Sequence, residues 1–305
     1  MNKQVETVVI FLFLSLFSFA TIYPVLNILG VSLRTDNAFQ SKSLTLFEGQ
    51  ESYTDLNGDG KWSSDEPFID SNNNKVWDSG SSFKSYITLF TETDFLLWAR
   101  NSIFISIVVT LTGVAFASTG GYALSRFNFK GRKFGMTALL TTQMFPATML
   151  LLPFFILLSY LGLINSYIGL IIIYSSTALP FCIWQMKGYY DTIPPSLEES
   201  ARLDGCTRFQ AFYKIILPLS SPALVITALF SFMASWSEYV VAAIVLQDPK
   251  LYTLPLGLKS FQASLSTQWG LYAAGAVVVS IPVTILFISL SKYLVSGLTM
   301  GSVKE

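Results

Sequence analysis

SLEESARLDGCTRFQAFYKIILPL, Ser196 to Leu219, is a charged, amphipathic stretch set between two strongly apolar spans. Its punctuation predicts a bent helix pair. Pro194 and Pro195 stop a helix arriving from upstream, because proline lacks the N–H that a helix interior needs. Ser196 followed by Glu199 fits a capping box, in which each side chain satisfies the other's backbone N–H. Gly205 permits the positive-φ conformation that ends a short helix, and Thr207 is placed to cap a second helix running to Pro218. In so apolar a chain, an element of this kind kept at the surface is there to touch something.

With 52% hydrophobic and 12% charged residues, the chain departs from soluble domains, where charged residues make up about 25%. It belongs in a membrane. A hydrocarbon core of about 30 Å needs roughly 20 residues of helix, and six stretches are long enough, near 6–32, 97–124, 135–160, 165–188, 221–246 and 271–295. The period-2 pattern of a barrel is absent, so the expected fold class is an all-α membrane protein with six transmembrane helices. The first span is longer than the apolar core of a secretion signal and is read as a retained helix.

Zero net charge conceals an asymmetry. Arg126, Lys130, Arg132 and Lys133 crowd the second connection without an acid among them, whereas the first carries Asp36, Glu48, Glu51, Asp55, Asp59, Asp65, Glu66 and further acids. The positive-inside rule makes the second connection cytoplasmic, and with it both termini and residues 194–218. The absence of histidine removes the commonest general base and transition-metal ligand. Cys182 and Cys206 suit neither an extracellular disulfide nor a metal site. No G-x-x-x-x-G-K-[ST] string occurs, so any ATP is bound by another chain. No nucleic-acid partner is expected.

The first connection, residues 35–95, is a polar insert containing DLNGDGKWSSDE at 55–66. A calcium loop needs oxygen ligands at positions 1, 3, 5, 7, 9 and 12 and a glycine at 6. Asp55, Asn57, Asp59, the Lys61 carbonyl, Ser63 and Glu66 supply the oxygens, and Gly60 the turn. A weaker repeat follows, with Asp70, Asn72, Asn74, the Val76 carbonyl and Asp78, but with Lys75 in place of the glycine and Ser81 in place of the glutamate. The alternative is a solvated Asx-rich turn region. Without long flanking helices, calcium here would act as a structural staple rather than a sensor.

Glu238 is the single acid of the fifth span, an intramembrane position where an ionisable group is a functional candidate or an interhelical hydrogen-bond partner. Pro146, Pro153, Pro180 and Pro282 are candidate helix interruptions. In the external stretch 247–270, Tyr252, Leu254, Pro255, Leu256 and Phe261 form either an exposed apolar contact surface or packing against the helix ends beneath.

Glu199, Ser200 and Ala201, then Gly205, then Ile215, Leu217 and Pro218 resemble the E-A-A…G…I-x-L-P pattern of the inner-membrane subunits of binding-protein-dependent ABC importers. Ser200 and Cys206 stand where alanines are usual, both small-for-small changes. RFNFKGRK at 126–133, LPFCIWQMKGYYDTIPPSLEESARLDG at 179–205, SFMASWSEYVVA at 231–242 and YTLPLGLKSF at 252–261 resemble the carbohydrate-uptake branch. The end, YLVSGLTMGSVKE at 293–305, is similar to that of the smaller membrane subunit of maltose/maltodextrin-type importers.

This resemblance implies three parts: a first transmembrane helix at 1–34, the insert at 35–95, and a five-helix permease core at 96–305 that includes a coupling segment at 194–219. It implies that Glu198, Glu199, Ala201, Asp204, Gly205, Ile215, Leu217 and Pro218 form the coupling helix to a cytoplasmic ATPase. A helix lying on the bilayer is the rival reading, but Asp191, Glu198, Glu199 and Asp204 would be repelled by an anionic leaflet. The implied partners are a homologous second permease subunit, two ATPase subunits and an extracytoplasmic sugar-binding protein, in a bacterial or archaeal cytoplasmic membrane. The last of these would be touched by Tyr252, Leu254, Pro255 and Phe261. The implied function is ATP-driven import of maltose, maltodextrin or a similar oligosaccharide, with no bond made or broken in this chain. The alternatives are another small carbohydrate or polyol, or an ion-coupled secondary transporter.

Overall fold

The computed structural model describes residues 3–34, 51–59, 61–69, 77, 80, 82–262 and 267–300. Among them there are helices and no strands; a single antiparallel bridge joins Tyr53 and Phe68. The helices are α1 (Lys3–Ser32), α2 (Lys84–Thr91), α3 (Phe95–Arg126), α4 (Arg132–Thr142), α5 (Leu151–Tyr160), α6 (Tyr167–Thr192), α7 (Ser196–Leu203), α8 (Arg208–Ala211), α9 (Leu217–Leu219), α10 (Ser221–Trp236), α11 (Val240–Val245), α12 (Leu254–Ser260) and α13 (Trp269–Met300). Four of them, α1, α3, α6 and α13, contain stretches long and apolar enough to cross a membrane. The segment Arg208–Leu219 and α10 form a further pair bent by 78°.

Two expected continuous helices are broken. The stretch near 135–160 divides into α4 and α5 around Pro146, which has an extended ψ of 130° and opens a short 3-10 turn over Ala147–Leu150. A proline here removes one ladder donor and pushes the preceding residue out of helical conformation. The stretch near 221–246 divides into α10 and α11 at Ser237–Tyr239. By contrast Pro180 and Pro282 are carried inside α6 and α13.

The chain forms two compact units, Met1–Leu96 with Leu258–Ile281, and Leu97–Gly257 with Pro282–Glu305. The stretch 258–281 thus joins the N-terminal part rather than the rest of 96–305. In the first unit, no side chain is buried along the most apolar stretch of α1. Its end is tied by Ser32 Oγ to Tyr86 Oη at 2.8 Å, and by the Ser82 N–H donating to Leu33 O at 2.7 Å. Leu89 and Phe95 are buried.

In the second unit, one apolar cluster gathers Ile105, Val109, Leu158, Leu170, Ile173, Tyr174 and Val245. Another gathers Ala117, Cys182, Met186, Tyr190, Phe212, Ile216 and Ala223. Small and hydroxylated residues let these helices approach closely, as in membrane bundles generally. A Cβ on Gly121 would lie 2.8 Å from Met186 Cβ and 2.9 Å from the Lys187 backbone nitrogen. Thr227 of α10 donates to Gln185 of α6 at 2.6 Å.

Candidate functional site

The segment 194–219, expected from the sequence to couple to an ATPase, begins where α6 stops. Ile193 is extended because Pro194 follows it, and α7 starts at once behind Pro195. The expected Ser196–Glu199 box does not form. The N–H groups of Leu197, Glu198 and Glu199 donate to the carbonyls of Pro194 and Pro195 instead, so the first turn is closed by backbone and Ser196 is already helical. Gly205 has φ of +90° and ends α7, as the sequence predicts. Thr207 caps α8, and there a capping box does form: Thr207 Oγ1 accepts from Gln210 N at 3.2 Å, and Gln210 Oε1 accepts from Thr207 N at 2.8 Å. The T-x-x-Q spacing of this box is plain in the sequence. Phe212–Ile216 then winds as a π-helix, a rare form that concentrates at functional sites, before Pro218.

The named coupling residues divide by direction. Glu199, Asp204, Gly205 and Pro218 are exposed, Ala201 is buried, Ile215 and Leu217 are half-buried, and the buried member of that run is Ile216. Glu198 points inward. Its Oε1 accepts from Arg126 Nε at 2.5 Å, and its Oε2 from the Tyr122 hydroxyl at 2.6 Å. Outward stand Leu203, Phe209 and Tyr213, which are 89, 75 and 62% exposed, the two rings stacked 6.4 Å apart. The sequence reading missed these three residues, although large apolar and aromatic side chains on so polar a segment, Phe209 and Tyr213 at a four-residue spacing, were a signal.

Glu238 lies in the break between α10 and α11. It accepts from the Tyr174 hydroxyl at 2.7 Å and from the N–H groups of Val241 and Ala242 at 2.8 and 3.2 Å. The acid therefore caps a helix and bonds a neighbouring one, in keeping with the structural of the two roles the sequence left open.

In the stretch 247–270, Leu254 and Phe261 are buried and Tyr252 and Pro255 half-buried. Leu254 and Phe261 thus pack within the chain and offer no exposed apolar contact surface, contrary to the sequence expectation. Asn101 Nδ2 donates to Lys250 O and Tyr252 O at 2.9 and 3.0 Å, and the Leu254 N–H donates to Ser102 Oγ at 2.7 Å. Asn165 has left-handed backbone, and its side-chain Oδ1 accepts from the N–H groups of Gln247 and Asp248 at 2.9 and 3.0 Å.

In the insert, Glu66 is buried, and its carboxylate accepts from Ser63, Leu56 and Asn57 N–H at 2.9, 2.9 and 3.4 Å. The Ser63 donor, opposed in part by desolvation and aided by the other two, holds its pKa below the usual range. Asp55, Asn57 and Asp59 fold into successive turns by accepting from Gly58, Asp59 and Lys61 N–H. The oxygen donors are of the type calcium takes, but here they bond backbone N–H groups, and among the described residues no three acids are gathered closely enough to hold a metal. Trp62 stacks on Trp77 at 5.1 Å and donates to Glu66 O at 3.0 Å. Asp70, Asn72, Asn74, Val76 and Asp78 lie outside the described residues.

Residues 110–299 match the family described as binding-protein-dependent transport system inner membrane component. The chain belongs to this family. It is the permease component of an ABC importer, in which the ATPase is carried by separate subunits. The permease is 33% identical to the maltodextrin transport system permease protein MdxG of Bacillus subtilis (strain 168), over 99% of this chain and 98% of that one. It is 38% identical to the maltose/maltodextrin transport system permease protein MalG of Yersinia pestis, over 68 and 71%. With the galactooligosaccharides transport system permease protein GanQ of Bacillus subtilis (strain 168) it shares 36% over 73 and 80%. Its fold matches a chain of a bacterial ABC transporter involved in the import of the acidic polysaccharide alginate, with TM-score 0.75 and 24% identity over 96 and 97%.

Proposed function

We propose that this permease imports a malto-oligosaccharide or a closely related sugar, as one of two membrane subunits driven by ATPase subunits that grip residues 194–219. The observation that carries the sugar is the end-to-end likeness to MdxG, 33% identical over 99% of this chain. The likeness to GanQ keeps galacto-oligosaccharides as the second reading. Leu203, Phe209 and Tyr213 give the ATPase an apolar knob, since single-chain burial leaves them facing water. Six spans follow if α4 with α5, and α10 with α11, each count as one broken crossing. The Arg126–Glu198 contact supports the orientation: it brings the basic second connection to the same end of the helices as α7, so both are cytoplasmic together.

The test is reconstitution with a second permease, the ATPase and the binding protein in vesicles. Maltotriose uptake that requires ATP and survives collapse of ion gradients is expected. Uptake driven by a gradient without ATP would overturn the importer, and transport of galactobiose in preference would replace the sugar.

We further propose that the loop 55–66 takes a structural calcium ion, with Glu66 exchanging its backbone donors for the ion. The spacing of Asp55, Asn57, Asp59, Lys61, Ser63 and Glu66 supports this reading.

A further inference from the structure

Glu198 and Glu199 are neighbours in sequence but face opposite ways, one half-buried against α3 and the other exposed. The two groups that bond the inward acid both come from the last turns of α3. Arg126 Nε donates to Glu198 Oε1 at 2.5 Å, and Arg126 Nη2 to Ile193 O at 2.8 Å, so one guanidinium spans the end of α6 and the start of α7. Tyr122 donates to the other oxygen of Glu198 at 2.6 Å, and its ring lies 4.5 Å from that of Phe212, in the π-helical stretch. Both ion-pair side chains are largely shielded, 12 and 14% exposed. A second link runs beside the first: Ser125 Oγ donates to Asp191 Oδ1 at 2.6 Å, and Asp191 pairs with Lys187.

We propose that Arg126 and Tyr122 are positioning residues that lock α7 to α3 through Glu198, so that a displacement of the coupling helix moves α3 as one body. This rests on the function proposed above, in which the ATPase moves α7. A shielded, charge-assisted pair resists separation in a way that an apolar contact able to slide does not. Glu199 cannot serve in its stead, because it faces outward. The chemistry also sets the geometry: Arg126 reaches Glu198 and Ile193 from two separate nitrogens of one rigid plane, whereas Arg126→Lys keeps the charge but offers a single nitrogen without that planar fork.

The experiment uses the assembled transporter in vesicles, wild type in parallel. Copurification of the ATPase, its basal rate, its stimulation by sugar-loaded binding protein, and sugar moved per ATP are measured for Glu198→Ala, Glu198→Gln, Arg126→Lys and the exchange Arg126→Glu with Glu198→Arg. The expected result, measured per assembled complex, is a loss of stimulation and of sugar per ATP of at least about fivefold in Glu198→Ala, less in Glu198→Gln and Arg126→Lys, and partly restored by the exchange. A role in folding alone would lower complex yield and leave sugar per ATP unchanged in what assembles. If Glu198→Ala does not assemble, Glu198→Gln decides, because it keeps shape and the Tyr122 acceptor; full coupling in Glu198→Gln overturns the proposal. A wild-type complex without ATP-driven uptake overturns the function itself, and this inference with it.

Discussion

The Tyr174 hydroxyl donates to the Glu238 carboxylate at 2.7 Å, fastening α6 to the break between α10 and α11. The same carboxylate takes two N–H groups that begin α11. Removing it in Glu238→Ala leaves those donors without their partner, at about 1–3 kcal/mol. Glu238→Gln keeps an oxygen for the cap and is expected to transport within a few-fold of wild type. Thermal unfolding of the purified transporter and ATP-driven uptake with ion gradients collapsed are the measurements. Abolished uptake in Glu238→Gln with normal stability would give the carboxylate an ion-coupling role after all.

Gly205 is held at φ +90° with nothing within 4 Å of where a Cβ would sit. A side chain there costs conformational energy of about 1–2 kcal/mol and meets no clash inside the chain. Gly205→Asp is therefore expected to insert and fold yet lose ATPase subunits on purification, because only an external partner feels its bulk and charge. Leu203→Ala and Phe209→Ala should weaken the same association, by about 2 kcal/mol if either is an anchor of the interface. Normal copurification in all three would move the ATPase contact away from this segment.

What was legible depended on how local its cause is. Gly205, Thr207 and the break at Pro146 follow from single residues acting on their own backbone, and each stands where the sequence puts it. The Ser196 box failed because the Pro195 carbonyl took the Glu199 N–H that Ser196 would have bonded, a competition that the S-x-x-E spacing does not reveal. The inward turn of Glu198 was hidden for another reason. Its partner Arg126 is 72 residues away, and helical periodicity separates Glu198 from Glu199 by direction without saying which direction meets a cation. Burial of Leu254 and Phe261 is likewise a property of what folds over them.

Close helix approach gives a prediction that needs no partner. At Gly121 on α3 an added Cβ meets the backbone of α6 at Lys187, which cannot rotate aside. Gly121→Ala should destabilise by about 1–3 kcal/mol, the usual range for overpacking. Gly188, one residue beyond that contact on α6, has open space around it, so Gly188→Ala is the matched control with little effect. Equal melting temperatures for the two variants would mean that α3 and α6 do not meet as closely as described.

The proposed calcium site turns on Glu66, because it alone among the proposed ligands would supply two oxygens, and its side chain is already buried. In the purified transporter, terbium is expected to bind the loop and to luminesce on excitation of Trp62, which lies within it and bonds the Glu66 carbonyl. Calcium should displace the terbium. Glu66→Gln should lower the affinity by at least about tenfold, since it loses both a charge and the bidentate grip, while Asp65→Asn, outside the ligand positions, should leave it unchanged. Chelation should then loosen the insert, read as increased proteolysis between 51 and 69, and should leave ATP-driven uptake in place if calcium is a staple. Terbium emission that is absent, or the same in Glu66→Gln as in wild type, would leave these residues as a hydrogen-bonded turn and nothing more.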